Sequence, residues 1–351
     1  AQRIIDKLSS IRVPLSMVNE QEQLLSSLIG NITGCTGHLV MKMSMKILAA
    51  VSEHSKNKQA MFIFPKLMEA VALGATYMFE SVREESARII MNLSVEPKNR
   101  TELALSGLGL ILSLTRGGQF SRVYAIQALG HMSSQIPMNK VIMVNYGNGV
   151  VVSVLLQVAS SLNTDTDLRV LSTRILGNLT CQATAVQICH HPSLLVTLSS
   201  LACLEGEKLD KVASNSALIV KKIATYVRSS DTCHRHLLEA MVTMSYGKST
   251  AALVWCVKAF IEQAAFPEDS MIGHKGILSA LTLLTNDEND FVRDHSLDAL
   301  VKLAVDVSMA RNVTVDKVLR SVASNSQRGG LGLQQNRNKR QSPPRYSPKS
   351  V

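Results

Sequence analysis

Aromatic residues make up only 4% of the 351-residue chain, and there is a single tryptophan. A core without them has to be filled by Leu, Ile, Val, Ala and Met, which dominate the 46% hydrophobic content. That mixture favours helices packed on helices. Proline is scarce, with nine residues, and no stretch is dense in Val, Ile, Tyr and Thr, which argues against a β-sandwich or barrel. Long apolar runs are missing too. The most apolar stretch, GVVVSVLLQVASSL at 149–162, is shorter than the roughly 18 residues a membrane-spanning helix needs. No secretory signal pattern opens the chain, so none is expected. The six cysteines, Cys35, Cys181, Cys189, Cys203, Cys233 and Cys256, have no paired spacing. They are expected to be free, buried thiols in a reducing compartment, cytoplasmic or nuclear. Four Asn-x-Ser/Thr matches begin at Asn31, Asn92, Asn178 and Asn312; at least two fall in expected helices, where a glycan-accepting loop has no place.

The motifs of catalysis are absent as well. There is no phosphate loop, no Gly-x-Ser-x-Gly elbow and no His-Glu-x-x-His. Two Cys/His clusters stand out, Cys181 and Cys189 with His190 and His191, and Cys233 with His234 and His236. Neither has zinc-site spacing. The sequence therefore implies a non-catalytic protein with no metal and no cofactor.

What is present is repetition, which decides architecture before anything else does. VREESARIIMNLS at 82–94 is echoed by LRVLSTRILGNLT at 168–180. Related phrases start at Val40, Ser121, Val212, Thr250 and Val292, giving spacings of 42, 39, 47, 44, 38 and 42 residues. Counted from each start, offsets 0, 4, 7, 8 and 11 share one face of a 3.6-residue helix. Offset 4 is small in six phrases: Ser44, Ser86, Ala125, Ser172, Ser216 and Ser296, with Val254 the exception. A small side chain there lets the next helix approach, whereas a larger one would cost about 1–3 kcal/mol in strain. Between the phrases, segments such as 97–118, 138–161 and 267–287 read as a short polar helix, a glycine corner and an apolar helix. Gly107, Gly147 or Gly149, and Gly276 are the expected corners.

From about residue 40 to 306 the chain resembles the armadillo family. The resemblance rests on Asn99-Arg100 followed by Gly107-Leu108-x-Leu110, and on the Asn92-Leu93 and Asn178-Leu179 endings. NDFVRDHSLDALVKL at 289–303 opens in a manner similar to HEAT repeats. The resemblance implies an all-α, right-handed α-solenoid of about seven armadillo- or HEAT-like repeats over residues 40–320. Residues 1–39 would form an N-terminal helical cap, with Leu24, Leu25, Leu28, Ile29 and Ile32 as its apolar stripe.

Function in a solenoid usually lies on the concave surface lined by one helix of each repeat. Offset 6 reads Lys46, Arg88, Gln127, Arg174, Leu218, Cys256 and Asp298, and offset 10 reads Ala50, Asn92, His131, Asn178, Lys222, Phe260 and Lys302. In peptide-binding armadillo proteins an Asn row at offset 10 would hold the peptide backbone, and import adaptors add Trp at offset 6. No Trp occurs at offset 6, so import-type recognition is not implied. The expected groove is formed by Lys46, Arg88, Asn92, Gln127, His131, Arg174, Asn178 and Lys222. Its basic character suits an extended, acidic or phosphorylated partner segment.

After about residue 324 the pattern ends. Residues 325–351, NSQRGGLGLQQNRNKRQSPPRYSPKSV, carry six of the chain's formal +10 charges and read as a disordered basic tail. Ser342 and Ser347, each followed by proline, are phosphorylation candidates. Two phosphates would add about −3 to −4 charge. The tail and groove together allow a second reading, a protein associated with nucleic acid or another polyanion. A regulatory subunit of an enzyme complex is a third.

Overall fold

A computed structural model describes residues 18–311, apart from 35–36, 229–230, 266–270, 272–273 and 275. The basic tail with Ser342 and Ser347, Asn312, Cys35 and the first part of the expected N-terminal cap lie outside the described residues. Among the described residues all regular structure is helical.

Each of the seven related phrases lies in one long helix. These rungs span His38–Glu53, Glu80–Val95, Gln119–Ser133, Thr166–Leu179, Asp210–Tyr226, Thr250–Ala264 and Asp290–Arg311. Six rungs begin two residues ahead of the phrase, while the sixth begins on it, and burial explains why. The fifth rung buries Val212, Ala213, Ser216, Ala217, Ile219, Val220, Ile223 and Ala224. The sixth reproduces that spacing from Ala252, with Ala252, Leu253, Cys256, Val257, Ala259, Phe260, Gln263 and Ala264. Its register therefore moves by two residues, and the flanking spacings become 252 − 212 = 40 and 292 − 252 = 40. Cys256 enters the small-residue column, and Val254, the apparent exception, leaves it. The run Ala251–Val257 is apolar on every side, so periodicity alone cannot choose its inward face.

Each rung packs against the rungs before and after it. A second row runs alongside, made of the helices Leu67–Ala75, Leu108–Leu114, Val150–Ser160, Leu194–Ala202, His234–Met244 and Ile277–Leu284. Each of these packs against the rung that follows it in the chain. The apolar core is consequently elongated, one large cluster that runs from Leu25 to Leu303, with a small second cluster at Ala159, Leu201 and Val212. The helix Val18–Thr33 packs on the first rung and on Leu67–Ala75, burying Leu25, Leu28, Ile29 and Ile32. Together these contacts make a helical-repeat fold.

The small column works as its chemistry requires. Ser86, Ser172, Ser216 and Ser296 are fully buried. Each turns its hydroxyl back to donate to the carbonyl four residues earlier, at 2.6–3.0 Å. The donor is satisfied within the helix, so the neighbouring helix meets a small and effectively apolar surface. Gly74 makes a similar approach from the second row. A Cβ there would lie 2.7 Å from Met45 Cε and closer still to Ser86 Oγ.

The corners behave differently from one another. Gly147, Gly149 and Gly276 take positive φ of 54°, 89° and 100°, as breaks between helices demand. Gly107 has φ −96° and closes a π-helical turn, Leu103–Gly107, that joins Pro97–Glu102 to Leu108–Leu114. The expected corner at Gly107 is therefore a wide helical turn without a left-handed break. Pro97 and Pro137 open the short helices that follow the second and third rungs, a position where the missing N–H costs nothing.

Candidate binding surface

The corrected register changes both columns. Offset 6 now reads Lys46, Arg88, Gln127, Arg174, Leu218, Lys258 and Asp298, and offset 10 ends in Lys222, Glu262 and Lys302. Cys256 and Phe260, formerly in these columns, are fully buried.

Offset 10 is occupied with joining the rungs. Asn92 Nδ2 donates to Ala49 O (3.3 Å) and Ser52 Oγ (2.9 Å) on the first rung. His131 Nδ1 pairs with Ser94 Oγ at 2.9 Å, and Asn178 Nδ2 donates to Ser133 Oγ at 3.4 Å. Lys222 Nζ donates to Gly177 O at 2.6 Å. In every case the side chain reaches back to offset 9 or 12 of the rung before. Ser52, Ser94 and Ser133 occupy offset 12, and each also donates to the offset-9 carbonyl of its own last turn at 2.7–2.9 Å. These hydroxyls satisfy carbonyls that a helix terminus leaves without partners. The expected Asn row for a peptide backbone is thus a line of rung-to-rung bridges. Asn92 is only 6% exposed, and both its amide bonds go to the first rung.

A second line of caps runs beside it. Asn57 donates to Val51 O (2.9 Å), Asn99 to Leu93 O (3.1 Å) and Asn139 to Met132 O (3.4 Å). All three carbonyls stand at offset 11. The sequence held a signal for this, Asn-Lys at 57–58, Asn-Arg at 99–100 and Asn-Lys at 139–140, which only becomes meaningful once the rung ends are known. Arg100 follows the same logic, donating to Ser94 O, Val95 O and Ser134 Oγ at 2.8–3.0 Å.

The expected basic residues separate into two groups. Arg88 is paired with Glu53 of the first rung and with Glu85 at 3.5 Å. Burial pushes the Glu85 carboxyl up, opposed by the nearby Arg88 and Lys46. Lys46 therefore also faces an acid. Arg174 is exposed and forms no ion pair among the described residues. Burial pushes the Lys222 ammonium down, and the neighbouring Lys140 adds to the effect. Arg174 on the fourth rung and Lys222 on the fifth carry positive charge, Lys140 on the short helix Pro137–Asn145 lies near Lys222, and Gln127 is half-buried on the third rung. Further along, Lys221 pairs with Glu262 at 2.9 Å. Lys258 Nζ sits over the rings of Trp255 and Phe291, 4.7 and 5.1 Å from their centroids.

The Cys/His clusters are spent on packing. His190 bonds Val186 O (2.7 Å) and Thr232 Oγ1 (2.9 Å), His191 bonds Ser153 Oγ (2.8 Å), and His234 bonds Gln263 Oε1 (2.8 Å). Burial pushes the thiols of Cys189, Cys233 and Cys256 up, the opposite of what a nucleophile needs. Among the described residues no group of three or more His, Cys, Asp or Glu could hold a metal ion. No single described helix is long and apolar enough to cross a membrane.

No protein-family model matches the chain, and no curated protein matches it. Three solved structures of engineered proteins align with it. One is 16% identical over 80% of this chain and 97% of its own, with a TM-score of 0.49. Another is 15% identical over 94% and 98%, with a TM-score of 0.47. The third is 15% identical over 82% and 99%, with a TM-score of 0.48. Likenesses at this level assign no function.

Proposed function

We propose that the chain is a non-catalytic protein-binding scaffold, an armadillo- or HEAT-like right-handed solenoid of about seven repeats. Its concave surface takes an extended acidic or phosphorylated segment of a partner protein, in the cytoplasm or nucleus. The observation that carries this reading is the positive charge of Arg174, Lys222 and Lys140, on the fourth and fifth rungs and the short helix Pro137–Asn145, with no ion pair among the described residues. Arg174 stands exposed without an acidic partner among the described residues, and Lys140 lies beside Lys222. A guanidinium fork free of internal acids suits a carboxylate or phosphate. Arg88, by contrast, already has two carboxylates and contributes less.

The test is fluorescence anisotropy of the full chain with a labelled Glu-rich peptide and its phosphoserine counterpart. Arg174→Glu combined with Lys140→Glu is expected to weaken binding at least tenfold, while Arg88→Gln changes it by less than threefold. Unchanged affinity in the double variant overturns the proposal. Binding that follows the basic tail instead, lost when residues 325–351 are removed and competed by duplex DNA, favours the polyanion reading in its place.

A further inference from the structure

A ladder of helices has two ends, and the exposed one tells what is missing. Offset 5 is fully buried in the second to sixth rungs, at Ala87, Ile126, Thr173, Ala217 and Val257. In the seventh rung the same offset is Leu297, which is 48% exposed, and one turn on Val301 is 46% exposed. On the helix before it, Leu278 is 40% exposed. A position that five rungs bury is here an open apolar face. In a stacked repeat fold the last unit needs a cap, because its outward face is built like the inner ones.

The chain itself supplies an occupant. Residues 312–351 lie outside the described part of the molecule, but the sequence directly after the seventh rung is NVTVDKVLRSVAS at 312–324. Val315, Val318, Leu319 and Val322 fall at i, i+3, i+4 and i+7, with Asp316, Lys317, Arg320 and Ser321 between them. That spacing puts four apolar side chains on one side of a helical turn pattern. The stripe begins four residues after Arg311. After the first three rungs the chain likewise resumes within four residues, at Asn57 after Glu53, Pro97 after Val95 and Pro137 after Ser133, and after the fourth and fifth it resumes later, at Ala185 after Leu179 and His234 after Tyr226. Chain continuity therefore delivers this segment to the open face at a high effective concentration.

We propose that the outward face of the seventh rung, centred on Leu297 and Val301, is a docking surface for the chain's own segment Val315–Val322. The segment ends the ladder and keeps its last apolar face from pairing with another molecule. The basic stretch beyond residue 325 would then leave from the end of the solenoid.

Hydrogen exchange on the full chain tests this. Val318→Asp with Leu319→Asp places charge in the segment, outside the rungs, and should speed exchange of the seventh-rung amides at 299–304 at least tenfold while sparing the second and third rungs. Leu297→Asn should do the same, and the combined variant should be no faster than either alone. Unchanged exchange in the segment variant overturns the proposal, even if Leu297→Asn fails to fold. Sedimentation velocity over a hundredfold concentration range distinguishes the other occupant. An oligomer of the unaltered chain that Leu297→Asn dissolves and the segment variant leaves intact assigns the face to a second copy, and overturns the proposal too.

Discussion

Asn92 illustrates how a side chain's surroundings decide its task. Its amide donates to a backbone carbonyl and to a hydroxyl of the neighbouring rung, so Asn92→Ala removes two buried hydrogen bonds between rungs. The expected cost is about 1–3 kcal/mol, read as a lower urea midpoint, with the affinity for a groove-bound peptide unchanged. A loss of affinity at constant midpoint would instead return Asn92 to the binding surface. His131 carries a pH signature. Burial, then the nearby Arg100 and Lys58, hold its imidazolium below the ordinary value of 6.5. The unfolded chain therefore takes up the proton at higher pH than the folded chain does. The contribution of this site to stability is intact above about pH 6.5 and is lost as pH falls toward the depressed folded value. His191, held low by burial, acts in the same direction. His131→Gln should flatten part of the acid side of the stability curve, measured by urea midpoints from pH 5 to 8.

At the scale of the element, close approach rather than hydrophobicity sets the tolerance of the ladder. Gly74 lets the helix Leu67–Ala75 lie against Met45 and Ser86, and a methyl there meets both. Gly74→Ala improves helix propensity by roughly 1 kcal/mol, but overpacking costs about 1–3 kcal/mol. The net expectation is a destabilised protein, seen as a fall in melting temperature. A rise would mean that the Met45 side chain simply swings away. The rungs were legible because their stripes repeat. Where the stripe is diluted, as in Ala251–Val257, the sequence placed the helix but not its register, since Trp255 and Val254 are as apolar as the residues that face inward. Gly107 departs from the expected corner for a related reason. A glycine can make a left-handed corner, but only the backbone shows whether the chain turns there or widens into a π turn.

For the whole molecule, the charge balance separates the proposed partner from the polyanion reading. Six of the ten net positive charges lie beyond residue 324, so the residues before it carry a net excess of only four. Groove binding through two or three cations should weaken only gently with salt, whereas tail-driven binding should fall steeply. The salt slope with and without residues 325–351 is the measurement that separates them. By itself the sequence determined the helical class, the repeat period and the small column, because these follow from side-chain size and 3.6-residue spacing. Which polar side chains are available to a partner was decided only by tertiary structure. Asn92, His131, Asn178 and Lys222 stand in a column expected from the sequence to face a partner, and each is taken by the rung before it. A hydrogen bond between residues about 40 apart depends on how two helices stack, and no local pattern encodes that.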